Sequence, residues 1–214
     1  MNPEYVAHTE TAGRFTIRII ADQDAQDPRA EWDHTAHMIC FHRDYNLGDK
    51  HNMSTDELSE IIRRKDVVAL PLYLYDHSGI TMSTGRFPMD SGGWDASLVG
   101  AIYMTRSEIL KEFGKPGARL LTAKLRAAAI KRMESEVDEY DDYLTGNVYG
   151  FTVAPTDDED NIIDSCWGFF GDYNKYVLDE ARTQVKYLIE QDAIDAAALT
   201  ANEVDCDALA EVSI

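Results

Sequence analysis

Basic residues are scarce: 20 Lys and Arg stand against 39 Asp and Glu, for a formal net charge of −19. A chain this acidic repels a phosphate backbone unless its few cations gather on one face, so direct conventional nucleic-acid binding is not expected. Cysteine is scarce as well. Cys40, Cys166 and Cys206 are odd in number and far apart, and they form neither CxxC nor a Cys/His zinc spacing, so reduced thiols are expected. No stretch approaches the ~20 apolar residues of a membrane helix, and MNPEYVAHTE has neither a basic start nor an apolar run. The expectation is a soluble, cytoplasmic protein with no membrane partner. Neither GxxxxGK[ST] nor GxGxxG occurs, which removes P-loop hydrolysis, and the six histidines form no HExxH or HxE…CxxC pattern.

What is present can build a core: 44% of the 214 residues are hydrophobic and 10% aromatic. We expect one domain over residues 1–191 and an acidic, Ala/Asp-rich C-terminal tail over 192–214. The tail holds six acidic residues and no basic one, so most of the charge excess lies elsewhere. Three readings of that excess stand: a halophile's solvated surface, the tail, or an acidic face imitating nucleic acid.

Along the chain, alternation predicts strands at Phe15–Ile20, Ala36–His42, Val67–Tyr75, Ile80–Thr84 and Leu98–Met104, with Pro71 at an edge or bulge. Asp22–Arg29 reads as a polar loop. Ser54 with Glu57, and Thr105 with Glu108, are capping boxes that open short helices ending near Lys65 and Gly114. Leu121, Leu125, Ala129, Met133, Val137, Tyr140 and Leu144 step by four or three, an apolar stripe on a helix over Thr122–Leu144 that Gly146 stops. Val148–Val153 and Ile162–Phe169 form a hairpin around PTDDEDN, and a last helix runs from about Tyr173 to Gln191. These elements describe an α+β fold, an antiparallel-rich mixed sheet of about six or seven strands with three or four helices packed on it.

Chemistry-bearing residues gather at strand ends. Asp76 and His77 occupy the DHSG turn, and Trp94 and Asp95 follow a Gly pair before a buried strand. Tyr149, Asp164 and Trp167 lie on the C-terminal hairpin. Ring faces supply contact area and adjacent carboxylate and imidazole groups set orientation, so these seven are ligand-binding candidates. The simpler alternative makes Trp94 a core plug and DHSG only a turn. His42, Asp44, Asp49 and His51 bracket one loop at a loose spacing that could hold a divalent cation, with His42, Asp44 and His51 as the metal candidates, although such residues usually bond the backbone; no other cofactor is expected. Cys166 shares a strand face with Asp164 but carries no nucleophile signature, and a buried structural thiol is expected. Glu134–Asp142 crowds the helix end that a macrodipole would rather give to cations; a solvated face is the simpler reading, with Arg132–Glu136 available as an i,i+4 pair.

The blocks DPRAEWDHTAHMICFHRDYNLGDKH, LPLYLYDHSGITMSTGRF, WDASLVGAIYMT, EVDEYDDYLTGNVYGF and DSCWGFFGD, spanning about residues 27–172, resemble a family of uncharacterised proteins encoded by bacteriophages, prophages and plasmids. The family's usual WDSG is Trp94-Asp95-Ala96-Ser97 here, which weakens any role for a Gly after the acidic position. The resemblance implies a setting, the host cell cytoplasm, and not a mechanism. Three function classes follow. The first is a phage-type accessory protein that binds a host protein or a small-molecule or nucleotide signal, without catalysis, in host takeover or anti-defence. The others are a small hydrolase or nuclease using Asp and His, with a divalent metal as an option, and an acidic DNA mimic.

Overall fold

The computed structural model describes residues 5–88, 95–114 and 117–210, and beyond Ile194 it describes side chains only at 197 and 198. In chain order the elements are β1 (Val6–Ala12), β2 (Phe15–Ala21), α1 (Pro28–Glu31), β3 (His37–Cys40), α2 (Thr55–Ile62), β4 (Val67–Asp76) and β5 (Ile80–Ser83). They continue with β6 (Ala96–Thr105), α3 (Arg106–Phe113), α4 (Ala123–Thr145), β7 (Val148–Pro155), β8 (Asp164–Phe170) and α5 (Val177–Ala210). The α+β class is as expected. The single sheet of six or seven strands is not: the strands form two antiparallel four-stranded sheets, ordered β1-β2-β7-β8 and β3-β6-β4-β5. Alternation identifies strands but carries no information about partners, and here strands far apart in sequence pair, β2 with β7.

The chain divides into two compact units, Met1–Asp22 with Val148–Ile214, and Gln23–Asn147. In the first, α5 lays Val177, Leu178, Ala181 and Val185 on Phe15, Ile17, Ile19, Phe151 and Val153 of the sheet. The strand β1 escaped the sequence reading because VAHTETA alternates only weakly in hydrophobicity, and none of its residues is fully buried. Helix α5 does not stop near Gln191 but continues to Ala210, so at least residues 192–210 of the expected tail are helical.

The second unit has three layers. The stripe of α4 is buried as expected, with Ala129, Met133, Val137 and Tyr140 against Leu72, Leu74, Ile102 and Met104 of the sheet. On the opposite face α2 brings Leu58 to Ile39, Val67, Ala101 and Tyr103. Along β6, Ala101 and Tyr103 face one layer and Ile102 and Met104 the other, the two-residue period of a strand buried on both sides. Both predicted capping boxes are formed, each with its reciprocal pair of hydrogen bonds. Gly146 ends α4 at φ 75°. Pro71 pairs with Ala101 of β6 beyond the reach of β5 and beside a register shift at Leu72/Tyr73, so it sits at a locally open edge next to a bulge. Among the described residues no helix is long and apolar enough to cross a membrane.

Candidate functional site

The site belongs to the second unit and starts from a stretch that composition reads as loop. Asp27 caps α1, its side chain accepting from the Arg29 backbone N–H at 2.8 Å, and Pro28 supplies the fixed φ that a first helical position favours. This one turn carries Arg29 into the interior. The guanidinium, with 1% of its side chain exposed, donates from Nε to Asp49 Oδ1 (2.8 Å), from Nη1 to Glu136 Oε2 (2.9 Å) and from Nη2 to the Ala36 carbonyl (2.8 Å). A buried cation survives only when paired and hydrogen-bonded, and here two carboxylates and a carbonyl do both. The expected Arg132–Glu136 pair is present at 3.4 Å, but Glu136 is buried and not part of a solvated face.

Through Asp49 the network holds the loop 41–51. Asp49 Oδ2 accepts from the Met38 N–H at 2.8 Å, and the Asp49 N–H donates to the Met38 carbonyl at 2.8 Å. Gly48 donates its N–H to Tyr140 Oη at 3.0 Å. Its φ of 69° and a Cβ position that would collide with the Met38 carbonyl explain why glycine stands there. Burial is the main reason the Tyr140 phenol is pushed up to about 12. The result is a cleft of about 920 Å³ between the start of α1, the end of β3 and the loop.

Two histidines set the cleft's rim. His42 Nδ1 accepts from the backbone N–H groups of Asp44 (3.2 Å) and Tyr45 (3.3 Å), which leaves the proton on Nε2. Its ring stacks on Tyr45 with centroids 4.8 Å apart. His51 Nε2 donates to the Cys40 carbonyl at 2.9 Å while Nδ1 accepts from the Met53 N–H at 3.2 Å, so both of its nitrogens hold backbone. Asp44 is occupied by Arg43, whose hydrogen bonds keep its carboxyl below the usual range. The three metal candidates His42, Asp44 and His51 thus do not converge; loop polar groups have satisfied the backbone instead. Among the described residues no three His, Cys, Asp or Glu side chains are placed to share a metal ion. Burial, then the nearby Asp49 charge, pushes the Cys40 thiol up to about 12, which makes it an inert wall.

Tyr45 links this rim to the β4–β5 turn, donating its hydroxyl to Asp76 Oδ2 at 3.1 Å. The Asp76 N–H donates to the Asp95 carbonyl at 2.9 Å, and His77 Nδ1 lies 3.6 Å from Asp95 Oδ2. Asp76, His77 and Asp95 are therefore brought together, with His77 and Asp95 largely exposed to solvent. Trp94 lies outside the described residues. Tyr149, Asp164 and Trp167 belong to the first unit, where each has a local task. Tyr149 meets Tyr173 edge-on at 5.2 Å, Asp164 Oδ1 accepts from the Ser165 N–H at 2.8 Å, and the Trp167 ring lies over Gly150 so closely that a Cβ there would strike it. Cys166, expected to be buried, is exposed on the strand β8.

Sequence reasoning missed Arg29 and Tyr45, and it read Asp49 only as one of the polar residues that bracket the loop. The Asp27-Pro28 pair was a readable helix start, but nothing in one sequence says that the arginine after it turns inward. Compared with family models, curated proteins and solved structures, the chain matches none.

Proposed function

We propose that this is a phage-type accessory protein that works by non-catalytic binding of a small-molecule signal, with the cleft under loop 41–51 as the receptor site. The observation that carries the reading is that the cleft wall is set in advance: Arg29, Asp49 and Tyr140 spend their hydrogen bonds on holding the loop. Prior ordering of this kind lowers the entropy lost on binding and suits recognition. A nucleophile with an adjacent base is not needed for it, and Cys40, the thiol in the wall, is disabled by burial. Screening the intact chain by thermal shift against metabolites and signalling compounds tests this. A ligand-dependent rise in Tm that Tyr45→Ala abolishes, with the unliganded Tm little changed, supports the reading; a library without a single Tyr45-dependent shift counts against it.

The carboxylate–imidazole pair of Asp95 and His77, joined to the rim through Asp76 and Tyr45, favours a second reading, a small hydrolase in which His77 acts as base. In that case the bound compound turns over, and His77→Ala stops turnover while leaving binding intact.

A further inference from the structure

Between the segment that follows α1 and one face of α4 lies another concavity of the second unit, about 270 Å³ in volume, which shares no lining residue with the cleft under loop 41–51. Trp32, Asp33 and His34 form one wall. Arg132, Ser135, Glu136 and Glu139, spaced i, i+3, i+4 and i+7, form the other. The two walls meet at Glu136, with His34 Nδ1 3.7 Å from Oε2 and Arg132 Nε 3.4 Å from Oε1. The space is just below the ~300–1,000 Å³ common for ligand pockets, so it suits one small group.

The cavity is built around an unsatisfied acceptor. Glu136 is 6% exposed, and although Arg29 holds its Oε2, its Oε1 accepts no hydrogen bond. Arg132 is close enough to pair with that oxygen but is misaligned, and its Nη2 is drawn to Glu112 at 3.2 Å. His34 Nε2 donates to the Pro28 carbonyl, so in the neutral ring Nδ1 is a second acceptor. Among the described residues Asp33 and Glu139 enter no hydrogen bond or ion pair. Arg132 keeps an N–H to give and Ser135 a hydroxyl, so the walls are not purely accepting. Charge decides the balance: Asp33, Asp49, Glu112, Glu136 and Glu139 are set against Arg29 and Arg132 alone. These carboxylates stand too far apart to close on a bare metal ion. A larger cation fits them, and Trp32, 45% exposed in the wall, offers the ring type that attracts cations most strongly.

We propose that this concavity binds a small organic ammonium ion, which donates to Glu136 Oε1 in place of Arg132 and rests on Trp32 between Asp33 and Glu139. Arg132, half exposed, is the movable cover over an oxygen otherwise shut off from solvent. The site stands independently of what the cleft under loop 41–51 binds.

A nuclear magnetic resonance titration of the intact chain, read at the Trp32 indole N–H signal and assigned with Trp32→Phe, tests this. The probes are n-butylammonium for a free amine, N-acetyl-lysine methylamide for the same group on a lysine side chain, and n-butanol as the neutral match. At least one ammonium compound shifts the signal saturably at millimolar concentration, the tighter of the two naming the source, and n-butanol binds at least about tenfold more weakly. Asp33→Asn with Glu139→Gln weakens the ammonium about tenfold, and neither side chain has a partner to lose on folding. Arg132→Met removes the competing cation and tightens binding about three- to tenfold, where a merely acidic surface would respond far less. An alcohol that binds as well as the amine, or an affinity indifferent to the Asp33/Glu139 double variant, overturns the cation. Binding that Arg132→Met leaves unchanged or weakens overturns the displacement at Glu136. If neither ammonium compound moves the Trp32 signal, the site falls.

Discussion

Removing a guanidinium from water costs several kcal/mol, and Arg29 meets that cost with three strong acceptors. Deleting one member of such a group is worse than deleting all of it, because the survivors keep their desolvation without a partner. Arg29→Met should therefore destabilise by about 3–5 kcal/mol in urea denaturation. Pairing it with Glu136→Leu should recover part of the loss, and a double variant no better than the single would refute the account. A second residue-scale test concerns Asp142. Burial, and then the charges of Asp141 and Asp138, hold its carboxyl above the ordinary range. The folded chain thus takes up this proton at a higher pH than the unfolded chain, so its contribution to stability rises as pH falls through that window and is lost as pH climbs above it. Asp142→Asn should stabilise at pH 7 by about 0.3–1 kcal/mol, the value of one unfavourable charge near a helix C-terminus. The gain should vanish below about pH 4, where the parent's carboxyl is protonated too.

At the scale of elements, what could be read in advance was whatever depends on neighbours in sequence. Ser54/Glu57 and Thr105/Glu108 cap as expected because a capping box closes within four residues, and the α4 stripe is buried because a period of 3.6 is a local property. Val137, 1% exposed at the centre of that stripe, tests the packing directly. Val137→Asp buries an unpaired charge and should lower Tm by well over 10 °C, given a cost of several kcal/mol. Partnership was not readable. Asp76, His77 and Asp95 could be grouped because β4, β5 and β6 are adjacent strands, whereas Tyr149, Asp164 and Trp167 are candidates on no more than the tendency of strand ends to collect loops. Their local tasks, such as the cover Trp167 gives Gly150, leave no periodic trace. Arg29 was equally silent, since a buried arginine and an exposed one look alike in a single sequence.

For the whole molecule, the division into two compact units makes a clear expectation. Residues 23–147 have their own sheet, helices on both its faces and the entire Arg29 network, so a fragment of that span should fold alone. Cooperative melting of the fragment, with the ligand-binding behaviour of the full chain, is the expected result; a fragment without cooperative unfolding would mean that the units are mutually dependent. Truncation after Ala197 should leave the first unit stable, because the residues that α5 contributes to its core end at Val185, with Leu188 packed beside them.

The hydrogen bond from the Asp22 N–H to the Val148 carbonyl, 2.8 Å long, closes the first unit across the whole of the second. That closure has a cost in time. A ribosome adding ~5–20 residues per second needs roughly 6–25 s to synthesise the intervening stretch of about 125 residues. Throughout that interval the β1–β2 hairpin has emerged with Phe15, Ile17 and Ile19 uncovered and β7 not yet made. Synthesis speed and holdase chaperones, which do not touch the finished protein, should therefore set its yield through this hairpin, whereas the unit of residues 23–147 is contiguous and completes itself as it emerges.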